Sequence, residues 1–282
     1  MKKLLLAAPF VVLPCIIGGV VSLRFAQQKS DCPLINAIKG GDDARIEKAL
    51  EDARPAMRKV RSEGDMQLWE TPHGSFWIPQ SSAARFDQVI GEQKADIYNA
   101  SQVVHPGDVV LDCGADVGTF TRTALNHGAS KVIAVEPAPW KIPCLRRTFT
   151  HEIEQGRVVI YPKGVWSSET TLLLDGDTIK SNSGVAIPLT TIDRIVSELQ
   201  LERLDLVKMD IEGAEKPAIQ GGRETIRRFK PRFTIATEHN ADDHSAIPAL
   251  LMSIEPSYAA HCGPCVVQFG RLQPYTMQFI AR

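Results

Sequence analysis

VVLDCGADVG, residues 109–118, combines a short apolar run with a turn that contains two glycines and two aspartates. Three consecutive apolar residues, Val109 to Leu111, are typical of a strand that is buried on both faces, as in a parallel sheet. Glycines directly after such a strand allow a tight turn and a close backbone approach to a ligand. The stretch therefore predicts a strand, a ligand-binding turn and a following helix.

Apolar strands alternate with helical segments from Val103 onward. The predicted strands are DVVLDCG, KVIAVEP, RVVIYPKGVW, LDLVKMD and RFTIATEH. This alternation predicts an α/β fold with a doubly wound, mostly parallel sheet that carries helices on both faces. The last segments, SYAAHCGPCVVQFG and TMQFIAR, predict two strands joined by a tight loop, which would end the sheet in antiparallel fashion.

The turn after the first strand lacks the third glycine of the dinucleotide fingerprint G-x-G-x-x-G. It has Gly114 and Gly118, and the carboxylates of Asp112 and Asp116 would repel a pyrophosphate. Carboxylates suit a cationic, hydroxyl-rich ligand instead. S-adenosylmethionine fits this description, since it carries a sulfonium, an ammonium and a ribose, and its own carboxylate can accept N–H groups at a helix start.

Glu136 ends the second predicted strand. An acid at this position can accept hydrogen bonds from both ribose hydroxyls of a bound nucleoside. The alternative is that Glu136 caps the next helix, for which Pro137 is a plausible start. We expect ribose binding, because the acid occurs together with the D-x-G-x-x-x-G turn.

LDLVKMDIEGAE, residues 204–215, places further acids after a strand. Asp210 and Glu212 follow this strand, and Glu238 and His239 end the next one, so all four belong to the edge where chemistry is expected. Transfer of a group to an alcohol is helped by a general base, and each of the four is a candidate. The alternatives are helix-start acids, a loop carboxylate, or a histidine that satisfies a backbone carbonyl.

Metal ligands are not evident from residue spacing. We therefore predict no metal site, although Asp210, Glu212 and Glu238 could chelate a divalent ion if they converge. HCGPC, residues 261–265, contains a C-x-x-C pair that can be redox-active or half of a zinc site. Because no second such pair exists and Gly263-Pro264 is ordinary turn chemistry, we expect Cys262 and Cys265 to flank a structural turn.

The chain from Val103 to its end resembles the FkbM family of S-adenosylmethionine-dependent methyltransferases. The matching segments, in order, are VVLDCGADVGTFT, VIAVEPAP, GVWSSE, PLTTIDRI, LVKMDIEGAEKPAIQGG and KPRFTIATEHN. The resemblance implies a Rossmann-like, class I methyltransferase sheet of seven strands, with the last strand inserted antiparallel. It also implies methyl transfer, usually to a hydroxyl oxygen.

The resemblance implies a set of residues around S-adenosylmethionine. They are Asp112, Gly114, Asp116, Gly118 and Glu136, with Val165 and Trp166 near the adenine. Asp210 can serve either the cofactor or the reaction. Asp116 departs from the asparagine that is frequent in the family, so the amide donor is lost while the acceptor is kept.

The N-terminal hundred residues lie outside the resemblance. Residues 4–23, LLLAAPFVVLPCIIGGVVSL, carry no charge and as a helix would span about 30 Å, the thickness of a bilayer core. We predict an N-terminal membrane anchor within residues 1–30, with a cleaved signal peptide as the alternative. The catalytic domain would face the cytosol, where the cofactor is made, although Lys2 and Lys3 favour the opposite orientation.

Residues 31–102 predict a separate cap region before the methyltransferase domain of residues 103–282. DDARIEKALEDARPAMRKV has helical periodicity broken near Pro55, MQLWETPHGSFWIPQ reads as a hairpin, and RFDQVIGEQKADIYNASQ returns to a helical pattern. The region either packs on the main domain as a cap or covers the substrate site as a lid.

The net charge of −1 gives the chain no basic field for nucleic acid, so that partner class is not expected. The leading prediction is a membrane-tethered O-methyltransferase that acts on a small-molecule, sugar or lipid acceptor. Two alternatives remain. One is an inactive methyltransferase-like membrane interaction module, and the other is an NAD(P)-dependent oxidoreductase, which the missing third glycine disfavours.

Overall fold

The computed structural model describes residues 42–180 and 182–282. The predicted membrane segment, residues 4–23, lies outside the described residues, as does the predicted boundary at residue 30. None of the described helices is both long and apolar enough to cross a membrane.

A helix, a three-stranded antiparallel sheet and two short helices make up the described part of the N-terminal region. Helix α1 spans Asp43–Ala53, strands β1 to β3 span Arg58–Glu63, Met66–Thr71 and Gly74–Pro79, and helices α2 and α3 span Phe86–Lys94 and Ala100–Val103. Single 3₁₀ turns cover Arg54–Ala56 and Gln80–Ser82.

The predicted break near Pro55 and the predicted hairpin are confirmed, because α1 ends at Ala53 and β2 pairs with β3. The helical pattern was wrong for residues 58–60, which belong to β1 and pair antiparallel with β2. Pro55 fixes its own φ and ends the helix, and the neighbouring strand then satisfies the backbone groups of the residues that follow.

The remaining chain alternates strands and helices. Strands β4 to β16 span, in order, Val109–Cys113, Lys131–Val135, Val158–Tyr161, Gly164–Val165, Thr170–Asp175, Thr178–Lys180, Val185–Thr190, Leu206–Met209, Arg232–Ala236, Tyr258–Cys262, Cys265–Gln268, Arg271–Pro274 and Thr276–Ala281. Helices α4 to α10 span Thr119–Asn126, Ile142–Thr148, Thr150–Glu154, Ile192–Glu198, Glu215–Gln220, Arg223–Phe229 and Asp243–Ile254.

A seven-stranded sheet forms the centre of this part, in the order β13-β16-β12-β11-β4-β5-β6. The pairs between β6, β5, β4, β11 and β12 are parallel, and β16 is antiparallel to both of its neighbours. The predicted doubly wound, mostly parallel sheet with an antiparallel last strand is thereby confirmed.

Side chains of the central strands alternate between two hydrophobic clusters, one on each face of the sheet. On β4, Leu111 and Cys113 belong to one cluster and Val110 to the other. On β5, Ile133 and Val132 divide in the same way. The apolar run that predicted a doubly covered strand therefore reflects burial on both faces.

Two hairpin elements depart from the predicted order. The last segments do not form two strands with one tight loop, because β14 and β15 form a separate hairpin between β13 and β16. A four-stranded sheet, β7-β10-β8-β9, follows β6 and was not predicted. Its two-residue Gly176-Asp177 turn is a recognised hairpin signal that could have indicated it.

Candidate functional site

A cavity of about 490 Å³ opens at the carboxyl ends of β4, β5, β11 and β12. The chain runs from β4 outward to β6 on one side and continues through β11 and β12 on the other, so strand order reverses there. Ligands of doubly wound sheets bind at such a point, and the volume suits a small-molecule site. The cavity wall includes the predicted residues Gly114, Asp116, Glu136, Val165, Asp210, Glu212, Glu238 and His239.

The loop after β4 is held between two neighbouring strands. The N–H groups of Gly114 and Ala115 both donate to the Val135 carbonyl at 3.0 Å. Gly114 has φ +77°, and a Cβ there would lie 1.9 Å from the carbonyl oxygen of Asp210. Only glycine fits this close approach, which places the loop after β4 directly against the loop after β11.

Gly118 and Asp112 lie behind the cavity wall, not in it. A Cβ on Gly118 would come within 2.3 Å of the Phe149 ring, so this glycine serves packing. The Asp112 carboxylate is fully buried, accepts a hydrogen bond of 2.6 Å from the Thr121 hydroxyl and lies 3.3 Å from Lys208 Nζ. Asp112 therefore supports the loop from below, because its side chain points to the α4 side of the sheet.

Glu136 occupies the predicted position at the end of β5. One of its carboxylate oxygens accepts from the Asp116 N–H and the other from the Ala138 N–H, both at 2.9 Å. Burial raises the pKa of Glu136 to about 7, against the opposing charge of Lys141. The carboxylate is thus fixed by backbone donors while it faces the cavity.

Lys141, which was not among the predicted residues, lies beside Glu136. Its ammonium is 2.6 Å from Asp116 and 2.5 Å from Asp177, which belongs to the turn between β8 and β9. Burial alone lowers the pKa of Lys141, but the charges of Asp116, Glu136 and Asp177 raise it well above its usual range. The ion pair also gives Asp116 a role that asparagine, as a neutral side chain, could not fill.

Val165 and Trp166, both predicted near the adenine, lie in different places relative to the cavity. Val165 is buried and lines the cavity, whereas Trp166 is half-buried and packs with Ala138 and Leu189 behind the wall. Trp140, from the segment before α5, lines the cavity instead. The aromatic wall therefore comes from a different part of the chain than predicted.

Asp210 comes directly after β11, on the other side of β4 from β5 and Glu136. The Tyr98 hydroxyl donates to its carboxylate, and His239 Nε2 lies 3.4 Å from Asp210 Oδ1. Burial alone would raise the pKa of Asp210, but the charges of Lys208 and His239 bring it below its usual value. Asp210 is therefore held ionised where the cavity meets the N-terminal region.

His239 stands among four carboxylates. Its Nδ1 lies 3.0 Å from Glu215 Oε1, and its Nε2 faces Asp210, Glu212 and Glu238. Burial alone lowers the pKa of His239, but the hydrogen bond to Glu215 and the surrounding charges raise it to about 10. Glu215, from the first position of α8, was not predicted, and it orients the ring.

Glu212 and Glu238 face the same imidazole with different exposure. The Glu238 side chain is 13% exposed and that of Glu212 is 38% exposed. Burial raises the pKa of both carboxyl groups, while the charge of His239 lowers it.

The sequence predicted no metal ligands, but the structure brings one ligand atom each of Asp210, Glu215 and His239 within 4.8 Å of one another.

The N-terminal region forms one wall of the cavity. Tyr98 and residues of α2, among them Val89 and Gln93, line it together with the strand ends. Both predicted roles, a packing cap and a lid over a substrate site, stay predictions.

The C-x-x-C segment is a strand–turn–strand, as predicted. Cys262 ends β13, Cys265 begins β14, and Gly263 donates its N–H to the Thr276 carbonyl at 2.8 Å. Cys265 is disulfide-bonded, which the sequence did not lead us to expect.

A family model of the methyltransferase FkbM domain matches residues 112–263 of the 282 residues, more than half of the chain. The chain belongs to this family. The 2-O-methyltransferase NoeI of Sinorhizobium fredii (strain NBRC 101917 / NGR234) is a relative with 23% identity over 190 residues, which cover 59% of this chain and 76% of NoeI. The resemblance to the FkbM family is thereby confirmed.

Two solved structures match parts of this FkbM-family chain. The crystal structure of methyltransferase FkbM from Methylobacillus flagellatus KT has 17% identity and a TM-score of 0.49, with 85% of this chain and 60% of that chain covered. This chain thus spans less than two thirds of that protein. SMU.1697c from Streptococcus mutans, solved in complex with SAH, has 12% identity and a TM-score of 0.42, with 66% and 95% covered.

Proposed function

We propose that this FkbM-family protein is an S-adenosylmethionine-dependent methyltransferase that methylates a hydroxyl oxygen of a small-molecule, sugar or lipid acceptor. One observation carries the proposal. A single cavity has Glu136 at one end and the carboxylates around His239 at the other. A methyl donor and a hydroxyl acceptor need such a shared space, because displacement at the methyl carbon requires nucleophile and leaving group in line.

Residues near Glu136 fit the donor. When bound, S-adenosylmethionine supplies an activated methyl group on a sulfonium. The Glu136 carboxylate has acceptor capacity beyond its two backbone donors and can receive ribose hydroxyls. The N–H groups in the first turn of α4 are suited to the carboxylate of the methionine part, because those of Gly114, Ala115 and Asp116 already have acceptors. Asp210 is suited to the cationic groups of the donor.

Residues at the other end fit the acceptor. An alcohol is a weak nucleophile until its proton leaves, and Asp210, Glu238 and His239 are the groups that can bind or relay that proton. The wall formed by Tyr98 and α2 narrows the access of water. The name of the relative NoeI, a 2-O-methyltransferase, supports an oxygen acceptor over nitrogen or carbon.

The test has two parts. Calorimetry on the full chain should detect binding of S-adenosylmethionine and no binding of NAD. The chain is then incubated with a methyl-labelled donor and a membrane extract. Mass analysis should detect a labelled product, and a label that is stable to alkali would identify that product as a methyl ether. Binding of NAD alone would favour an oxidoreductase. Cofactor binding without any transfer across a panel of sugar, lipid and small-molecule acceptors would favour an inactive interaction module.

Residues 4–23 would tether the enzyme to a membrane, with the catalytic domain on the cytosolic side. The support is the charge-free apolar composition of the segment and the cytosolic supply of the cofactor. Carbonate washing of membranes should leave the full chain in the pellet, and protease should digest the domain in inside-out vesicles only. Release of the full chain by carbonate would contradict the tether.

A further inference from the structure

The carboxylates around His239 Nε2 lie at ion-pair distance from it but beyond hydrogen-bond distance. His239 Nε2 lies 3.4 Å from Asp210 Oδ1, 3.6 Å from Glu238 Oε1 and 3.7 Å from Glu212 Oε2. Hydrogen bonds from a ring nitrogen to oxygen measure about 2.7–3.2 Å. All three separations are longer, so the ring nitrogen faces the oxygens without bonding to any of them.

The ligand atoms of one cation lie close together. With metal–ligand bonds of about 2.1 Å in octahedral geometry, opposite ligands are about 4.2 Å apart and neighbouring ones about 3.0 Å. His239 Nε2 lies within the larger of these limits of Asp210, Glu212 and Glu238. One ligand atom each of Asp210, Glu215 and His239 also lies within 4.8 Å of the other two. Modest side-chain shifts would bring such groups to the bonding distances of one divalent cation.

Two buried carboxylate oxygens in the same cluster lack a donor. Among the described residues, neither Glu215 Oε2 nor Glu238 Oε2 has a hydrogen-bond partner. The Glu215 side chain is only 1% exposed. Buried anionic oxygens without a donor are destabilising, and a cation bound by Glu238 would remove that penalty at Glu238 Oε2.

Glu215 lies beside His239 in the way that an orienting carboxylate lies beside a metal-ligating histidine. Ligating histidines typically donate their second ring nitrogen to a carboxylate, which fixes the ring and its tautomer. His239 Nδ1 lies 3.0 Å from Glu215 Oε1, and the Ile211 N–H donates to that same oxygen at 3.0 Å. Nε2 is therefore the nitrogen directed at the cluster, where a cation would replace the proton that it otherwise holds.

We propose that Asp210, Glu238 and His239 bind a divalent cation of the Mg²⁺ and Mn²⁺ class, with His239 oriented by Glu215. Carboxylates outnumber the single imidazole, and an oxygen-rich set favours these cations over softer metals. The role of the cation rests on the proposed function. It would bind the acceptor hydroxyl beside the donor and lower the pKa of that hydroxyl, as metal ions do for bound water.

The experiment measures Mn²⁺ binding to the full chain without cofactor or acceptor. Electron paramagnetic resonance of free Mn²⁺ should show about one site per chain. Asp210→Asn and His239→Asn should each weaken binding at least tenfold, and Glu215→Gln should weaken it about 10- to 100-fold through the outer shell. Asp242→Asn is the matched control, because Asp242 already has a cation, Lys216, at 2.7 Å and should bind Mn²⁺ like the wild type.

Absence of Mn²⁺ binding to the folded wild type would overturn the proposal. Wild-type Mn²⁺ affinity in both Asp210→Asn and His239→Asn, with both variants folded, would also overturn it, since each variant lacks one of the proposed ligands. Melting temperatures identify any variant that fails to fold, and the other variant then decides. Calorimetry with S-adenosylmethionine on the same samples separates the two proposals, because donor binding without Mn²⁺ binding rejects the cation alone.

Discussion

At the proposed cofactor end of the cavity, Lys141 Nζ lies 2.6 Å from Asp116 and 2.5 Å from Asp177, whereas at the proposed acceptor end His239 Nε2 comes no closer than 3.4 Å to Asp210. Both ends concentrate carboxylates in a partly enclosed space. At the first end a flexible lysine reaches its partners and forms contact ion pairs. At the second, a ring fixed by Glu215 leaves room between the charges, so that end can accept a further cation or an acceptor group.

Replacement of Asp210 by asparagine tests the acceptor end and has the largest expected effect. The change keeps the shape of the side chain and removes the charge that faces His239. We expect the methyl-transfer rate to fall about 10²–10⁴-fold, the range typical for loss of a group that handles the reacting proton. The measurement is a single-turnover rate on the identified acceptor, with melting temperature as a check of folding.

Affinity for S-adenosylmethionine in the same variant decides which end Asp210 serves. An unchanged affinity, within about threefold, assigns it to the acceptor end, since a lost contact to the donor would weaken binding about tenfold or more. A full rate in Asp210→Asn would remove it from the reaction and leave Glu238 and His239 as candidates.

Glu136→Ala tests the cofactor end. Hydrogen bonds to a charged group contribute roughly 1.5–3 kcal/mol, so we expect S-adenosylmethionine to bind about 10- to 100-fold more weakly. Mn²⁺ binding should be unchanged, because Glu136 belongs to the other end. Calorimetry gives the first result and Mn²⁺ titration the second, and unaltered donor affinity would exclude the ribose contact.

The pH dependence of S-adenosylmethionine binding gives a second test of Glu136 at the proposed cofactor end. Burial raises the pKa of Glu136 to about 7, so the carboxyl group is protonated below that pH and ionised above it. Because the ionised form is the better acceptor for hydroxyl donors, affinity for S-adenosylmethionine should rise up to about tenfold from pH 6 to pH 8.

Glu136→Gln is the control for this rise. The charged groups that act on Glu136, Asp116 and Lys141, stay in place in this variant, as does Asp177, which pairs with Lys141. Any pH dependence that they cause should therefore persist. Loss of the rise assigns it to Glu136. A rise of equal size in the variant would assign it elsewhere.

Glu212→Gln should have the smallest effect. The Glu212 side chain is 38% exposed and 3.7 Å from His239 Nε2. Solvent-exposed ion pairs contribute about 0–1 kcal/mol, so we expect the transfer rate and Mn²⁺ affinity to change less than about fivefold. A loss as large as that of Asp210→Asn would make Glu212 an equal member of the acceptor end.

The sequence predicted the sheet and the acceptor-end candidates for a common reason. Parallel strands end at one edge, so acids after β11 and β12 meet without further information. Asp210, Glu212, Glu238 and His239 could therefore be selected from their position after apolar runs. The convergence of their oxygens around one nitrogen depends on ring orientation, which sequence spacing does not encode.

Other site residues were beyond prediction because they depend on tertiary packing. Lys141 follows β5 by several residues, and its partner Asp177 comes from an inserted hairpin. Tyr98 reaches Asp210 from the N-terminal region, far away in sequence. Asp112, predicted to lie near the cofactor, is behind the cavity wall for a different reason, since side chains alternate along a strand and Asp112 points to the face that α4 covers.

Lys208 has a consequence for chemical footprinting. Its side chain is 4% exposed, and its ammonium donates to the Gly114 carbonyl at 2.8 Å beneath the loop after β4. An amine-reactive reagent should modify Lys48, which is 73% exposed, in the folded protein but spare Lys208. Denaturant is increased stepwise, and the labelled peptides are identified by mass spectrometry. The denaturant concentration at which Lys208 becomes labelled then reports where β4 and β11 separate.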